Sequence, residues 1–164
     1  MPTTFVKIAS VTVGSGGASS IDFTSIPSTY TDLQLVFSAR SSNPYIDIKF
    51  NNNTSNRSSR YLYGNGSSAG SGTQAGFLGI DSSTSNTANT FGSGQIYIPN
   101  YAGSNYKSFS ADTVQETNAS SAEMYLTAGL WSDTTAINQV TIFPEGSGTF
   151  SQYSTATLYG IKNS

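Results

Sequence analysis

Hydrophobic residues in this chain recur at every second position, and almost nowhere at the spacing of a helix. In "TDLQLVFSAR", Leu33, Leu35, Phe37 and Ala39 fall on one face and Gln34, Ser38 and Arg40 on the other, with Val36 among them. "YIDIKF" sets Ile46, Ile48 and Phe50 against Tyr45, Asp47 and Lys49, and "GQIYIP" sets Ile96 and Ile98 against Gln95 and Tyr97. "AEMYLTAGLW" reads as Met124, Leu126, Ala128 and Leu130 inward against Glu123, Tyr125 and Thr127. "NQVTIFP" and "TATLYGI" continue the pattern with Val140, Ile142, Ala156 and Leu158. A period of two is the signature of half-buried antiparallel strands. The best helical candidate, 116–124, is rich in Asn, Ser and Thr, which favours a turn or one short helical turn.

Gly, Pro, Asn and Ser clusters such as "VGSGGASS", "SNP", "GNGSSAGSG", "NYAGSN" and "FPEGSG" punctuate the alternating runs. Strands are expected near 3–13, 19–24, 31–40, 45–50, 60–63 or 76–80, 94–98, 106–115, 122–131, 137–143 and 154–161. That many short strands in 164 residues imply one all-β domain, 1–164, built as a two-sheet antiparallel β-sandwich. A jelly roll fits better than an immunoglobulin-like fold, because the Cys…Trp…Cys signature is missing and Trp131 stands alone.

Composition narrows the chemistry. The chain has no Cys and no His, which excludes disulfides, thiolate or imidazole metal sites, and catalytic triads built on either residue. Charged residues make up 10%, against about 25% in ordinary domains. With 7 basic and 9 acidic residues the chain has no electrostatic footprint for nucleic acid. Its 10 Tyr and 9 Phe argue against disorder. The N-terminal "MPTTFVKIASVTVGSGG" lacks the basic and apolar regions of a signal peptide, and no run is long enough to span a membrane. The N-x-[ST] sequons at Asn53, Asn56, Asn65 and Asn118 are what so much Asn, Ser and Thr produces by chance. The glycine runs at 14–17 and 70–76 fit no phosphate-binding motif. Asp112, Glu116 and Glu123 read as solvated strand-end groups, and Asp81 and Asp133 as turn residues before Ser or Thr. No cofactor, metal site or enzymatic activity is expected.

Residues 51–93 stand apart, with weak alternation over a length that is usually functional or disordered. The polar background "NNNTSNRSSRYLYGNGSSAGSG" carries Arg57 and Arg60 beside Tyr61 and Tyr63. Arg and Tyr are enriched in binding hot spots, so this stretch reads as a long ordered loop excursion with those four residues as partner-binding anchors. The competing reading makes Tyr61 and Tyr63 the core side of a short strand.

Three segments carry a resemblance: "GSGGASSIDFTSIPSTYTDLQLVFSAR" at 14–40, "FGSGQIYIPNYAGSNYKSFSAD" at 91–112 and "QYSTATLYGIKNS" at 152–164. Together they resemble small virion structural proteins of tailed bacteriophages. The resemblance implies a capsid cement or decoration protein that binds the major capsid protein and itself, as a homo-oligomer such as a trimer. It would be assembled in the host cytoplasm and carried in the virion. The alternative it leaves open is a tail-fibre or receptor-binding module recognising host surface polysaccharide.

Overall fold

The structure is a computed structural model that describes residues 4–118 and 122–162. Its elements are β1 (Phe5–Thr12), β2 (Ile21–Phe23), β3 (Asp32–Ser41), β4 (Tyr45–Phe50), β5 (Arg57–Gly64), β6 (Ala69–Gln74), β7 (Phe77–Ile80), β8 (Ser82–Ser83), β9 (Gly92–Ile98), β10 (Lys107–Glu116), β11 (Ala122–Trp131), β12 (Val140–Pro144) and β13 (Thr155–Ile161). No helix occurs among the described residues, so none is long and apolar enough to cross a membrane. The segment 116–124, expected as a turn or one short helical turn, runs from the end of β10 into β11, and its central residues 119–121 lie outside the described residues.

The strands form two antiparallel sheets, as the alternation requires. The large sheet runs β1-β13-β3-β9-β10-β11-β5-β6, and the small one β2-β12-β4-β7. Among the described residues only β8 is parallel to its partner, pairing Arg40 with Ser82. In each sheet the end of the chain lies between strands from its beginning: β13 separates β1 from β3, and β12 separates β2 from β4. With β9 and β7 completing the two sets of four, this interleaving is a jelly roll.

Between the sheets lies one core. Leu33, Leu35, Phe37, Ile46, Ile48, Phe50, Ile96, Ile98, Val140, Ile142, Ala156 and Leu158 are all buried in it, on the faces that the alternation assigns them. Phe50 of the small sheet meets Phe109 and Trp131 of the large one, each at 5.5 Å between ring centroids.

One strand departs from the expected phase. In β11 the buried residues are Tyr125, Thr127, Gly129 and Trp131, whereas Met124 and Leu126 face outward. Both phases of this strand are apolar, so alternation alone could not choose. Trp131 chooses by docking on Phe50, and Gly129 agrees because the ring of its cross-strand partner Phe109 lies over it. A Cβ at Gly129 would come within 2.0 Å of that ring.

The 51–93 excursion is mostly strand rather than loop. β5 and β6 form a hairpin that pairs with β11, and the β10–β11 hairpin attaches them to β9. The large sheet thus extends four strands beyond the jelly roll. The glycines of β6 are strand residues: Gly70 lies opposite Tyr63 and Gly72 opposite Tyr61. A Cβ at either position would come within 2.6 Å and 2.4 Å, respectively, of the tyrosine that covers it. Aromatic rings laid over cross-strand glycines hold such a strand in place without side chains of its own.

Candidate functional site

Arg57, Arg60, Tyr61 and Tyr63 all lie on β5, and strand alternation sorts them onto two faces. Arg60 and Leu62 point outward from β5, while Arg57, Tyr61 and Tyr63 point inward. The four expected anchors therefore do not form one patch.

Arg57 is an internal tie. Its Nη1 lies 3.2 Å from Asp47 Oδ1 on β4 and also donates to the Ile48 carbonyl, while Nε donates to the Thr54 carbonyl at 2.8 Å. Both side chains of the pair are largely buried. Burial pushes the Asp47 carboxyl up to about 6, against the opposing pull of Arg57. Arg57 joins the added strands to the small sheet and is not a free contact group.

Tyr61 and Tyr63 are half-buried and pack on a satellite cluster of Phe77, Ile80 and Tyr125. Tyr61 lies 4.7 Å from Phe77, and Tyr63 stacks on Tyr125 at 5.5 Å. This matches the competing reading of the two tyrosines as the inner side of a strand. Tyr125, expected on the polar face, is buried here, whereas Tyr45 and Tyr97 are exposed as their phase suggests. The rings form one wall of a cleft of about 460 Å³, completed by Tyr45, Asn65, Gln74, Glu123 and Glu145. The acids appear scattered in sequence, yet the fold brings Glu123 and Glu145 to this one cleft.

On the outer face, β10, β11 and β5 align Val114 with Met124, and Asp112 with Leu126 and Leu62. Ser110, Ala128 and Arg60 form the next row. Leu62, Met124, Leu126 and Val114 are 60%, 61%, 59% and 46% exposed. Four large apolar side chains side by side on an otherwise Ser- and Thr-rich face make a contiguous patch of the kind that marks an interaction surface. Arg60, at its border, has no hydrogen-bond or ion-pair partner among the described residues. Reasoning from sequence missed Leu62, whose signal is its place between two inward tyrosines, and missed Met124 and Leu126 through the inverted phase of β11.

Other charged groups have structural duties. Arg40, expected to face solvent, is buried under residues 84–90 and donates to the carbonyls of Thr84, Asn86, Thr87 and Thr90. Asp133 accepts from the Thr135 amide at 2.8 Å, the turn role read from its sequence context. Asp81 does not share that role: it is fully buried, accepting from the Ser41 hydroxyl at 2.9 Å. Among the described residues no three or more His, Cys, Asp or Glu gather where they could hold a metal ion.

Comparison with protein-family models, with curated proteins and with solved structures returned no match.

Proposed function

We propose that this chain is a non-enzymatic structural protein of a tailed-phage virion, of the cement or decoration kind, whose copies associate through the outer face of β10, β11, β5 and β6 and bind the major capsid protein. The single observation that carries the reading is the exposed strip of Leu62, Val114, Met124 and Leu126. A second copy is the occupant that the charges of this face fit. Arg60 borders the strip on one row and Asp112 lies on the next, across Leu126. In a symmetric contact the same patch serves both partners, so Arg60 of each copy reaches Asp112 of the other while the leucines are buried between them. Removing each large apolar side chain from water contributes about 1.5–3 kcal/mol, and the ion pair adds register more than affinity. The resemblance of residues 14–40, 91–112 and 152–164 to phage virion proteins supports the same reading. So does a composition without His or Cys, which suits assembly better than acid–base or nucleophilic chemistry.

The test is the amount of this chain in purified particles, measured by quantitative gel densitometry against the major capsid protein. A cement protein is expected in amounts comparable with the shell protein. Only a few copies per particle would overturn the reading. That result would favour the tail-fibre or receptor-binding alternative, for which the tyrosine cleft is the supporting observation.

A further inference from the structure

The inner side of the added strands carries a second feature, independent of the outer strip and of the assembly reading. We propose that the cleft between β5, β7 and β11 binds an organic cation, an ammonium or guanidinium group held among Tyr45, Tyr61, Tyr63 and Tyr125 and countered by Glu123 and Glu145.

The rings supply the first part of the argument. The face of an aromatic ring carries negative potential, and several rings around one cavity form a cage for cations. Here the rings that form one wall of the cleft are held by their own packing: Tyr61 lies 5.6 Å from Tyr125 and 6.4 Å from Tyr63, and Phe77 supports both Tyr61 and Tyr125. Tyr45, at 6.1 Å from Phe77, is 41% exposed and stands at the mouth. The hydroxyls of Tyr45, Tyr61 and Tyr63 have no hydrogen-bond partner among the described residues, so they remain available to a ligand.

The field supplies the second part. Glu123 and Glu145 both line the cleft, and among the described residues no Lys or Arg does. Burial first, and then both glutamates, push the Tyr45 phenol upward, and burial followed by Glu123 does the same to Tyr125. Two carboxylates thus face the rings, with burial pushing the Glu145 carboxyl upward against the hydrogen bond from Gln74. Little within the protein offsets their charge. The Gln74 amide donates to Glu145, the Tyr125 hydroxyl makes a long 3.4 Å contact with Glu123, and Arg57 is already engaged by Asp47 and two carbonyls. A neutral saccharide could stack on these rings and donate its hydroxyls to the two carboxylates, but it would leave their negative charge without a counterion. An anion would be repelled. A cation satisfies both the rings and the acids.

Such a group arrives either as the Arg or Lys side chain of a neighbouring protein or as a small alkylammonium, and one titration separates the two sources. The intact chain is titrated with choline, with N-acetyl-arginine amide, with the neutral choline isostere 3,3-dimethylbutan-1-ol and with a neutral oligosaccharide, while tyrosine resonances are followed by NMR. Saturable shifts in the cleft tyrosines are expected with at least one cation, with the isostere and the oligosaccharide about tenfold weaker or worse. The double variant E123Q/E145Q, at an unchanged melting temperature, is expected to weaken the cation about tenfold. Tyr45→Leu, at an exposed position, provides a second variant that removes one wall of the cage. Choline binding tighter than the arginine amide assigns the site to a small amine, and the reverse order assigns it to a protein side chain. The inference is overturned if neither cation saturates, if the isostere or the oligosaccharide binds as tightly as the cations, or if both variants bind like the parent.

Discussion

Arg40→Met is expected to lower stability by about 3–5 kcal/mol, because one guanidinium organises a whole surface segment. Nη1 donates to the carbonyls of Thr87 and Thr90, both at 2.9 Å, and Nη2 donates to those of Thr84 and Asn86 at 3.1 and 3.0 Å. Residues 84–90 contain no large apolar side chain, so hydrogen bonds must hold them. Bonds to a charged donor contribute about 1.5–3 kcal/mol each, but four sharing one side chain do not add, and carbonyls near the surface recover part of the loss from water. Methionine keeps the apolar stem and removes only the donors. For a chain of this size the melting temperature should fall by roughly 10 °C. Amide exchange should accelerate first in residues 84–90. Arg40→Lys keeps the charge, yet one nitrogen cannot serve four carbonyls, so it should recover only part of the loss. An unchanged melting temperature, with residues 84–90 still protected in Arg40→Met, would contradict this description.

The second large effect is a dependence on pH that runs opposite to ordinary acid denaturation. Burial pushes the Asp81 carboxyl up to about 8, against the Ser41 hydroxyl and the positive charge of Arg40. Its Oδ2 has no hydrogen-bond partner among the described residues. Burial also pushes Asp47 up to about 6. An unfolded aspartate titrates near its ordinary value of about 3.9. Between that value and the raised one, the folded chain holds a proton that the unfolded chain has released, so stability falls as pH rises. The contribution of Asp81 is complete below about pH 4 and is lost as pH rises through about 8, at up to about 1.4 kcal/mol per pH unit. Asp47 adds to the slope only up to about pH 6. Asp22 and Asp133 are shifted down, so they act below this window. Denaturant unfolding from about pH 5 to about pH 8 should therefore show declining stability. Asp81→Asn mimics the protonated acid, so it should flatten the upper part of the decline and be more stable than the parent near pH 8. A parent whose stability rises over this range would show that Asp81 is ionised in the fold.

The sandwich was legible because most strands offer only one apolar phase. Leu33 to Ala39, Ile46 to Phe50, and Ile96 with Ile98 could face only one way, and they do. Where both phases were apolar the reading failed, and the sites lie there. Met124 and Leu126 compete with Tyr125 and Trp131, and the winner is set by Phe50 and Phe109, which belong to other strands. Gly70 and Gly72 looked like loop residues because the rings that fill their places come from Tyr63 and Tyr61 on the neighbouring strand. Arg57 looked free because its partner Asp47 lies ten positions earlier on a strand of the other sheet. Arg40 looked solvated because the segment that covers it follows more than forty residues later. Each miss concerns a residue whose environment is supplied by a segment other than its own strand, which periodicity within that strand cannot report.

Central to this account is that the outer strip of β10, β11 and β5 is buried between copies, and sedimentation equilibrium of the parent and of Leu126→Lys tests it most directly. Leu126 lies between Asp112 and Leu62 on the exposed face, so a lysine there can pair with Asp112 and leave the monomer folded. The parent is expected to self-associate with increasing concentration, and Leu126→Lys to remain monomeric at an equal or higher melting temperature. A parent that stays monomeric throughout, or a Leu126→Lys variant that associates as tightly as the parent, would contradict the assignment of this face.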